Sequence, residues 1–473
     1  MQEDRAHYLS NVSGKHIFVT GGMGLVGHHI LNILSQLGAI VTCYDISVPR
    51  TSKEVNEKST LTTSNFWSKI EKNGNLKFIK GDILDLQLLK QSSRGQDAVI
   101  HLVSRGTDHS SKGEDIEKVN VEGIKNVIEC CKHNGIHYLV ATSGSTVIFD
   151  GKHSHHMLSE ELPYPSVFVD FYSETKAHGE KLVLEANNLN GDNWLLTTCL
   201  RPGIIYGPGA WMTIGKVVHL AKNRKMLVQI GKEKIPLIHS HDAAYAHVLA
   251  LSQLLHYSHH PSSNSTKNNR KHSTISSSSN AQDSFHPSFH ETVPLCAGKA
   301  YFVHDGHPRN IVSWCSPLLQ SLHLQAPKVV LPSFLGKIFV FLATLLCFIK
   351  NFCLGFLKTV FPCCSKQDKL KNAHPSASSS TPLQLSASSH EQSDTIPFFI
   401  RSTVECTYSI SQIEHDLNFF SIVTPERGLA ELEEYYKQLL EVEELAQRTE
   451  NINNRGTSKS PGIFFTSVSK KED

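Results

Sequence analysis

The stretch that most constrains this fold is a short β-rich run, His16-Ile17-Phe18-Val19-Thr20. It passes directly into Gly21-Gly22-Met23-Gly24-Leu25-Val26-Gly27. A run of that length and composition reads as a buried parallel strand, and Leu25 to Leu37 reads as the helix after it. Strand, glycine turn and helix in that order are the context of a dinucleotide fingerprint. Gly21 permits the tight turn, Gly24 lets backbone approach a pyrophosphate, and Gly27 allows close helix–strand packing. The free N–H groups and dipole at the helix start would then meet the phosphates.

The next apolar run, Ile40 to Tyr44, ends at Asp45, the distance at which an acid meets an adenosine ribose. A carboxylate there accepts from both ribose hydroxyls and repels a 2′-phosphate, which predicts NAD over NADP. Further strands are expected over Leu76–Lys80, Ala98–Val103 and Tyr138–Thr142. Asp82 would bond the adenine amine, cap a helix starting near Leu84, or both.

Tyr172 and Lys176 stand four residues apart in Asp170-Phe171-Tyr172-Ser173-Glu174-Thr175-Lys176. On a helix that spacing puts both on one side. A free phenol titrates near 10 and is a poor base at neutral pH. A nearby ammonium, with the charge of an oxidised nicotinamide, favours the phenolate. Tyr172 would take the proton of an alcohol as hydride leaves its carbon, with Lys176 tuning the phenol and holding the nicotinamide ribose. Many Tyr and Lys make the spacing unspecific alone; its place downstream of a cofactor signature gives it weight.

Taken together, Thr20 to Gly27, Asn120-Val121-Glu122-Gly123, Thr142-Ser143, Tyr172-x-x-x-Lys176 and Arg201-Pro202-Gly203-Ile204-Ile205-Tyr206-Gly207-Pro208-Gly209 resemble the extended short-chain dehydrogenases/reductases. Val147-Ile148-Phe149-Asp150-Gly151, Tyr301-Phe302-Val303-His304-Asp305-Gly306 and a late hydrophobic segment resemble its 3β-hydroxysteroid dehydrogenase/isomerase branch. The resemblance implies a Rossmann-type doubly wound parallel sheet with a smaller C-terminal substrate domain. It also implies NAD-linked oxidation of a 3β-hydroxysteroid or similar sterol-like alcohol. The family's third catalytic hydroxyl, three residues before Val147, falls on Gly144; Ser143 or Ser145 would have to replace it, and Ser143 is the candidate. Two other readings stay open, a nucleotide-sugar epimerase or dehydratase and a non-catalytic dinucleotide sensor or scaffold.

The formal charge of +2 over 473 residues leaves no nucleic-acid footprint. Eleven cysteines without zinc spacing read as reduced thiols on the cytosolic side. In His153-Ser154-His155-His156 no carboxylate or Cys stands at ligand spacing, so a polar loop is expected and no metal. Ser/His/Asn-rich composition divides the chain into a core over 14–256, a disordered insert over 257–292 and a substrate-domain continuation over 293–328. A hydrophobic segment over 329–364, a second linker over 365–394, closing elements over 395–450 and a frayed tail over 451–473 follow. Ile338 to Ile349 is uncharged but short of a simple span, which predicts monotopic or hairpin membrane attachment. The catalytic face would then look to the cytosol, on the endoplasmic reticulum. Such attachment suits an apolar substrate, and a homodimer is an open option.

Overall fold

Side chains on the first strand alternate between two apolar clusters, and this alternation builds the fold. Ile17 and Val19 pack with Ile30, Leu31 and Leu34, whereas Phe18 packs with Val99, Ile128 and Leu139. A strand buried on both sides requires helices above and below its sheet. The computed structural model describes residues 9–47, 74–106, 113–223, 228–257, 293–336, 338, 342 and 404–454.

The main sheet comprises β1 (His16–Thr20), β2 (Ile40–Asp45), β3 (Leu76–Lys80), β4 (Ala98–His101), β5 (Tyr138–Thr142), β7 (Leu196–Pro202) and β11 (Lys299–Val303). Its order is β11-β7-β5-β4-β1-β2-β3, with every pair parallel. The order reverses between β1 and β4, so their carboxyl ends open the crevice where such sheets take ligands. Helices α1 (Gly27–Gln36) and α7 (Ser240–Leu255) cover one face. The other face is covered by α2 (Leu86–Ser92), α4 (Gly123–Asn134) and α5 (Phe171–Glu185). A short α3 (Gly113–Glu117) enters α4 through a π turn at Lys118–Glu122. In α4 the buried residues Ile124, Val127, Ile128 and Cys131 recur at helical spacing, and left-handed Gly135 ends the helix. Burying each such aliphatic side chain stabilises the fold by roughly 1.5–3 kcal/mol.

A second region lies beyond the carboxyl ends of the sheet. Three short parallel pairs build it: β6 (His155–Leu158) with β13 (Cys406–Tyr408), β8 (Ile204–Tyr206) with β10 (Leu237–His239), and β9 (Val228–Ile230) with β12 (Val329–Leu331). Helices α6 (Lys216–Lys222), α8 (Ile311–Ser321) and α10 (Pro425–Asn454) share a core that includes Tyr206, Val217, Leu318, Leu432 and Tyr436. The late part of the chain is anchored at buried Asp242, whose Oδ2 accepts the amides of Ile422 and Val423, each at 3.0 Å. Asp416, on α9 (Ser411–Leu417), accepts from Lys299 Nζ at 2.8 Å and Tyr301 Oη at 2.6 Å.

Several expected boundaries move. The first helix starts at Gly27 because Leu25 and Val26 remain in the turn, and β4 stops at His101. Val329–Leu331, expected to open the membrane segment, pair as a strand with β9. α10 continues through Asn454, past the expected start of the tail. Most of the hydrophobic segment, the insert and the second linker lie outside the described residues. Among the described residues no helix is long and apolar enough to cross a membrane. Cys43, Cys130, Cys131, Cys199, Cys296, Cys315 and Cys406 are buried free thiols.

Candidate active site

Asp170 sets where α5 begins. Its backbone is extended and its Oδ1 accepts the amide of Ser173 at 2.7 Å, an N-cap. This puts Tyr172 in the first turn, half-buried, and Lys176 one turn on, buried. Lys176 Nζ donates to the main-chain carbonyl of Thr142, at the carboxyl end of β5, across 2.6 Å. Burial lowers the lysine to about 8, against the opposing pull of Cys199 and Glu180. The Thr142 hydroxyl lies 2.7 Å from His247 Nε2, and the Nδ1 of that ring lies 2.6 Å from the Ala243 carbonyl. A carbonyl only accepts, so Nδ1 carries the proton and Thr142 donates to Nε2. On the π turn, Asn120 Nδ2 donates to Thr175 Oγ1 at 3.0 Å, and Thr175 donates in turn to the Tyr172 carbonyl at 2.9 Å.

The segment after β5 carries the hydroxyls. Ser143 Oγ is buried without a hydrogen-bond partner and lines a small cavity with His101, Asn120, Lys176 and Cys199. Ser145 is buried, and its carbonyl accepts from Tyr408 Oη at 2.9 Å. Thr146 is half-buried, and its Oγ1 accepts from Ser173 Oγ at 2.9 Å. That bond leaves the threonine's own proton available for donation. A Cβ placed on Gly144 would approach Thr146 Oγ1 at 4.0 Å and, chain neighbours aside, nothing closer. Thr146 was not singled out in the sequence. The signal was there, a glycine at the hydroxyl position with a hydroxyl two residues on.

The glycine turn forms a cradle that side chains would fill. A Cβ on Gly27 would lie 2.5 Å from the Gly21 carbonyl oxygen, and one on Gly24 3.3 Å from the same atom. Gly21 holds φ +78 with Val103 N 3.0 Å from its Cβ position, so only glycine fits. Asp45 braces the turn, Oδ2 accepting from Met23 N at 3.0 Å and Oδ1 from Ser47 N at 2.9 Å. A carboxylate offers about four lone-pair sites, so capacity for ribose hydroxyls remains. Asp82 does not cap the next helix: its Oδ1 accepts from Leu84 N at 2.9 Å, and Asp85, bonded to Leu88 N, is the cap. Two residues more of turn are needed before helical backbone begins. Open backbone, a helix N-terminus and a carboxylate at the end of β2 together suit a dinucleotide.

Two other features involve none of these residues. An open cleft of about 490 Å³, lined by Gly231, Lys232, Val330 and Pro332 among others, holds none of the sequence-predicted residues. The expectation that no carboxylate stands at ligand spacing to the His153–His156 run is corrected. A turn in the chain brings Asp150 Oδ2 to 2.5 Å from His153 Nδ1.

The profile of the 3-beta hydroxysteroid dehydrogenase/isomerase family matches residues 18–270. An Arabidopsis thaliana protein named 3beta-hydroxysteroid-dehydrogenase/decarboxylase isoform 2 is 28% identical over 320 residues, 67% of this chain and 49% of that protein. Isoform 1 from the same plant matches over 63% of its length, so the chain spans half to under two thirds of these relatives. The human protein named sterol-4-alpha-carboxylate 3-dehydrogenase, decarboxylating, is 28% identical over 67% of this chain and 69% of its own length. Among solved structures, UDP-glucuronic acid 4-epimerase from Bacillus cereus, with UDP-glucuronic acid and NAD, superposes with TM-score 0.55 at 18% identity. That match covers 90% of this chain and 99% of the epimerase, and it speaks for the fold alone. A profile that spans more than half of the chain, on a parallel sheet of this order, makes the chain a member of the 3-beta hydroxysteroid dehydrogenase/isomerase family.

Proposed function

We propose that the protein is an NAD-dependent oxidoreductase that converts the 3β-hydroxyl of a sterol-like substrate to the ketone. The carrying observation is the anchored pair on α5, with Tyr172 in the first turn and Lys176 tied to the end of β5 beside the switch-point crevice. The cofactor is NAD, held by the Gly21–Gly27 turn, with Asp45 on the adenosine ribose, Asp82 near the adenine and Lys176 on the nicotinamide ribose. Bound NAD supplies the hydride acceptor. Tyr172 takes the hydroxyl proton, and the Lys176 cation favours its phenolate. Thr146, braced by Ser173, donates to the same substrate oxygen, and the buried Ser143 lines a small cavity together with Lys176. A donor at that oxygen stabilises the charge that develops there as the proton passes to Tyr172.

The names of the plant and human relatives supply a second reading, that the substrate carries a 4α-carboxylate. A ketone formed beside such a carboxylate accepts the electron pair released as CO₂ leaves, and the resulting enolate takes a proton from solvent at the carbon that lost CO₂. The second step therefore calls for no catalytic residue beyond those of the oxidation. Membrane attachment through 329–364 is proposed on the composition of that segment.

The test is NADH formation by detergent-solubilised protein on 3β-hydroxysteroids with and without a 4α-carboxylate, beside Tyr172→Phe. Turnover that disappears in Tyr172→Phe while NAD still binds is the expected result. Intact NAD binding with no turnover on any steroid overturns the substrate assignment and favours the dinucleotide sensor.

A further inference from the structure

The turn between the end of β5 and β6 brings together three groups of metal-ligating chemistry that the proposed reaction does not use. The ligand atoms of Asp150, His153 and His155 all lie within 4.8 Å of one another. Asp150 is held in place: its Oδ1 accepts the amides of Lys152 at 2.9 Å and His153 at 3.1 Å. Those bonds leave Oδ2 facing the His153 ring, 2.5 Å from Nδ1. His155 is fixed from the other side, because its amide donates to the Glu405 carbonyl at 2.8 Å in the β6–β13 pair. The His153 and His155 ring centroids are 6.2 Å apart. His153 is 72% exposed, so the cluster opens to solvent on one side.

We propose that Asp150, His153 and His155 form a site for a borderline divalent cation, with Zn²⁺ the best fit. Two imidazoles and one carboxylate are ligands that Zn²⁺ accepts, and water completes the tetrahedron on the exposed side. The cation takes the place of the hydrogen bond between Asp150 Oδ2 and His153 Nδ1, and the ring proton moves to Nε2, so that Nδ1 is free to ligate. Bound there, it ties the turn after the Ser145–Ile148 segment to the β6–β13 pair. Through that pair it stiffens Tyr408, whose hydroxyl holds the Ser145 carbonyl. The site therefore braces the segment that carries Thr146 and takes no part in hydride transfer.

The experiment is calorimetric titration of chelator-stripped, full-length protein with Zn²⁺, beside Asp150→Asn, His153→Gln and His155→Gln. One saturable site is expected, with a raised thermal midpoint. Loss even of a group that merely supports a ligand costs 10–100-fold in affinity, so each variant should bind more than about tenfold more weakly. Asp150→Asn keeps an acceptor for both amides, and circular dichroism without metal separates misfolding from ligand loss. Absence of saturable binding overturns the site. So does wild-type affinity in all three variants, which would send the metal to other histidines.

Discussion

Lys176 Nζ and the Thr142 carbonyl meet at 2.6 Å, so the cation on α5 is held at the carboxyl end of β5. Burial lowers the lysine to about 8, whereas the unfolded chain keeps that proton to near its ordinary 10.5. Between those values the unfolded state binds more protons, so this group makes stability rise with pH across that window. Lys176→Met removes the contribution. Urea midpoints taken across the window should show wild type gaining on the variant by up to roughly 3 kcal/mol. Equal slopes in the two proteins would place the lysine in solvent.

In the proposed mechanism Thr146 takes the place of the hydroxyl that Gly144 lacks. Removing one donor to a developing oxyanion typically costs about 10²–10³-fold in kcat, so Thr146→Val should fall by that order with KM nearly unchanged. Gly144→Ser in the Thr146→Val background should restore much of the rate, since its Cβ site lies 4.0 Å from the Thr146 hydroxyl. If Ser143→Ala alone abolishes turnover and Thr146→Val does not, the roles of the two residues are exchanged.

Asp45 braces the glycine turn through Met23, and in the proposed site it also meets the ribose. Hydrogen bonds to charged groups contribute about 1.5–3 kcal/mol each, so Asp45→Ala should weaken NAD binding by roughly ten- to a hundredfold. Discrimination against NADP should shrink as well, because the carboxylate that repels a 2′-phosphate is gone. Fluorescence titration with NADH and NADPH reads both effects; an unchanged ratio would remove Asp45 from cofactor selection.

Glu180 and Arg201 form a buried pair, with Arg201 Nη2 at 2.7 Å and Nε at 3.0 Å from its carboxylate, and Tyr164 Oη donates to it at 2.6 Å. Their side chains are 0% and 4% exposed. Breaking such a pair leaves an uncompensated charge, and Glu180→Ala should lose about 3–5 kcal/mol of stability. Glu180→Gln with Arg201→Met should recover part of that loss in denaturant midpoints. A single variant as stable as wild type would show the pair to be solvated.

The local chemistry of this protein was legible in the sequence. β1, β3 and β5 fall where their β-rich runs stand, and the glycine turn opens the next helix, because buried parallel strands and turns are encoded by neighbouring residues. The i, i+4 spacing of Tyr172 and Lys176 needed only a helix, and Asp170 starts one. What the sequence could not place depends on groups distant along the chain or on the path of a turn. Asp85 rather than Asp82 caps α2 because the turn runs longer than composition indicates. The bond between Lys176 and Thr142, the packing of Thr146 against Ser173 and the approach of Asp150 to His153 and His155 are set by how β5, α5 and β6 stack. Side-chain periodicity reports which face of an element is buried, but not which neighbour buries it. The pairing of β13 with β6 across some 250 residues is the extreme case, decided only when the tertiary structure closes.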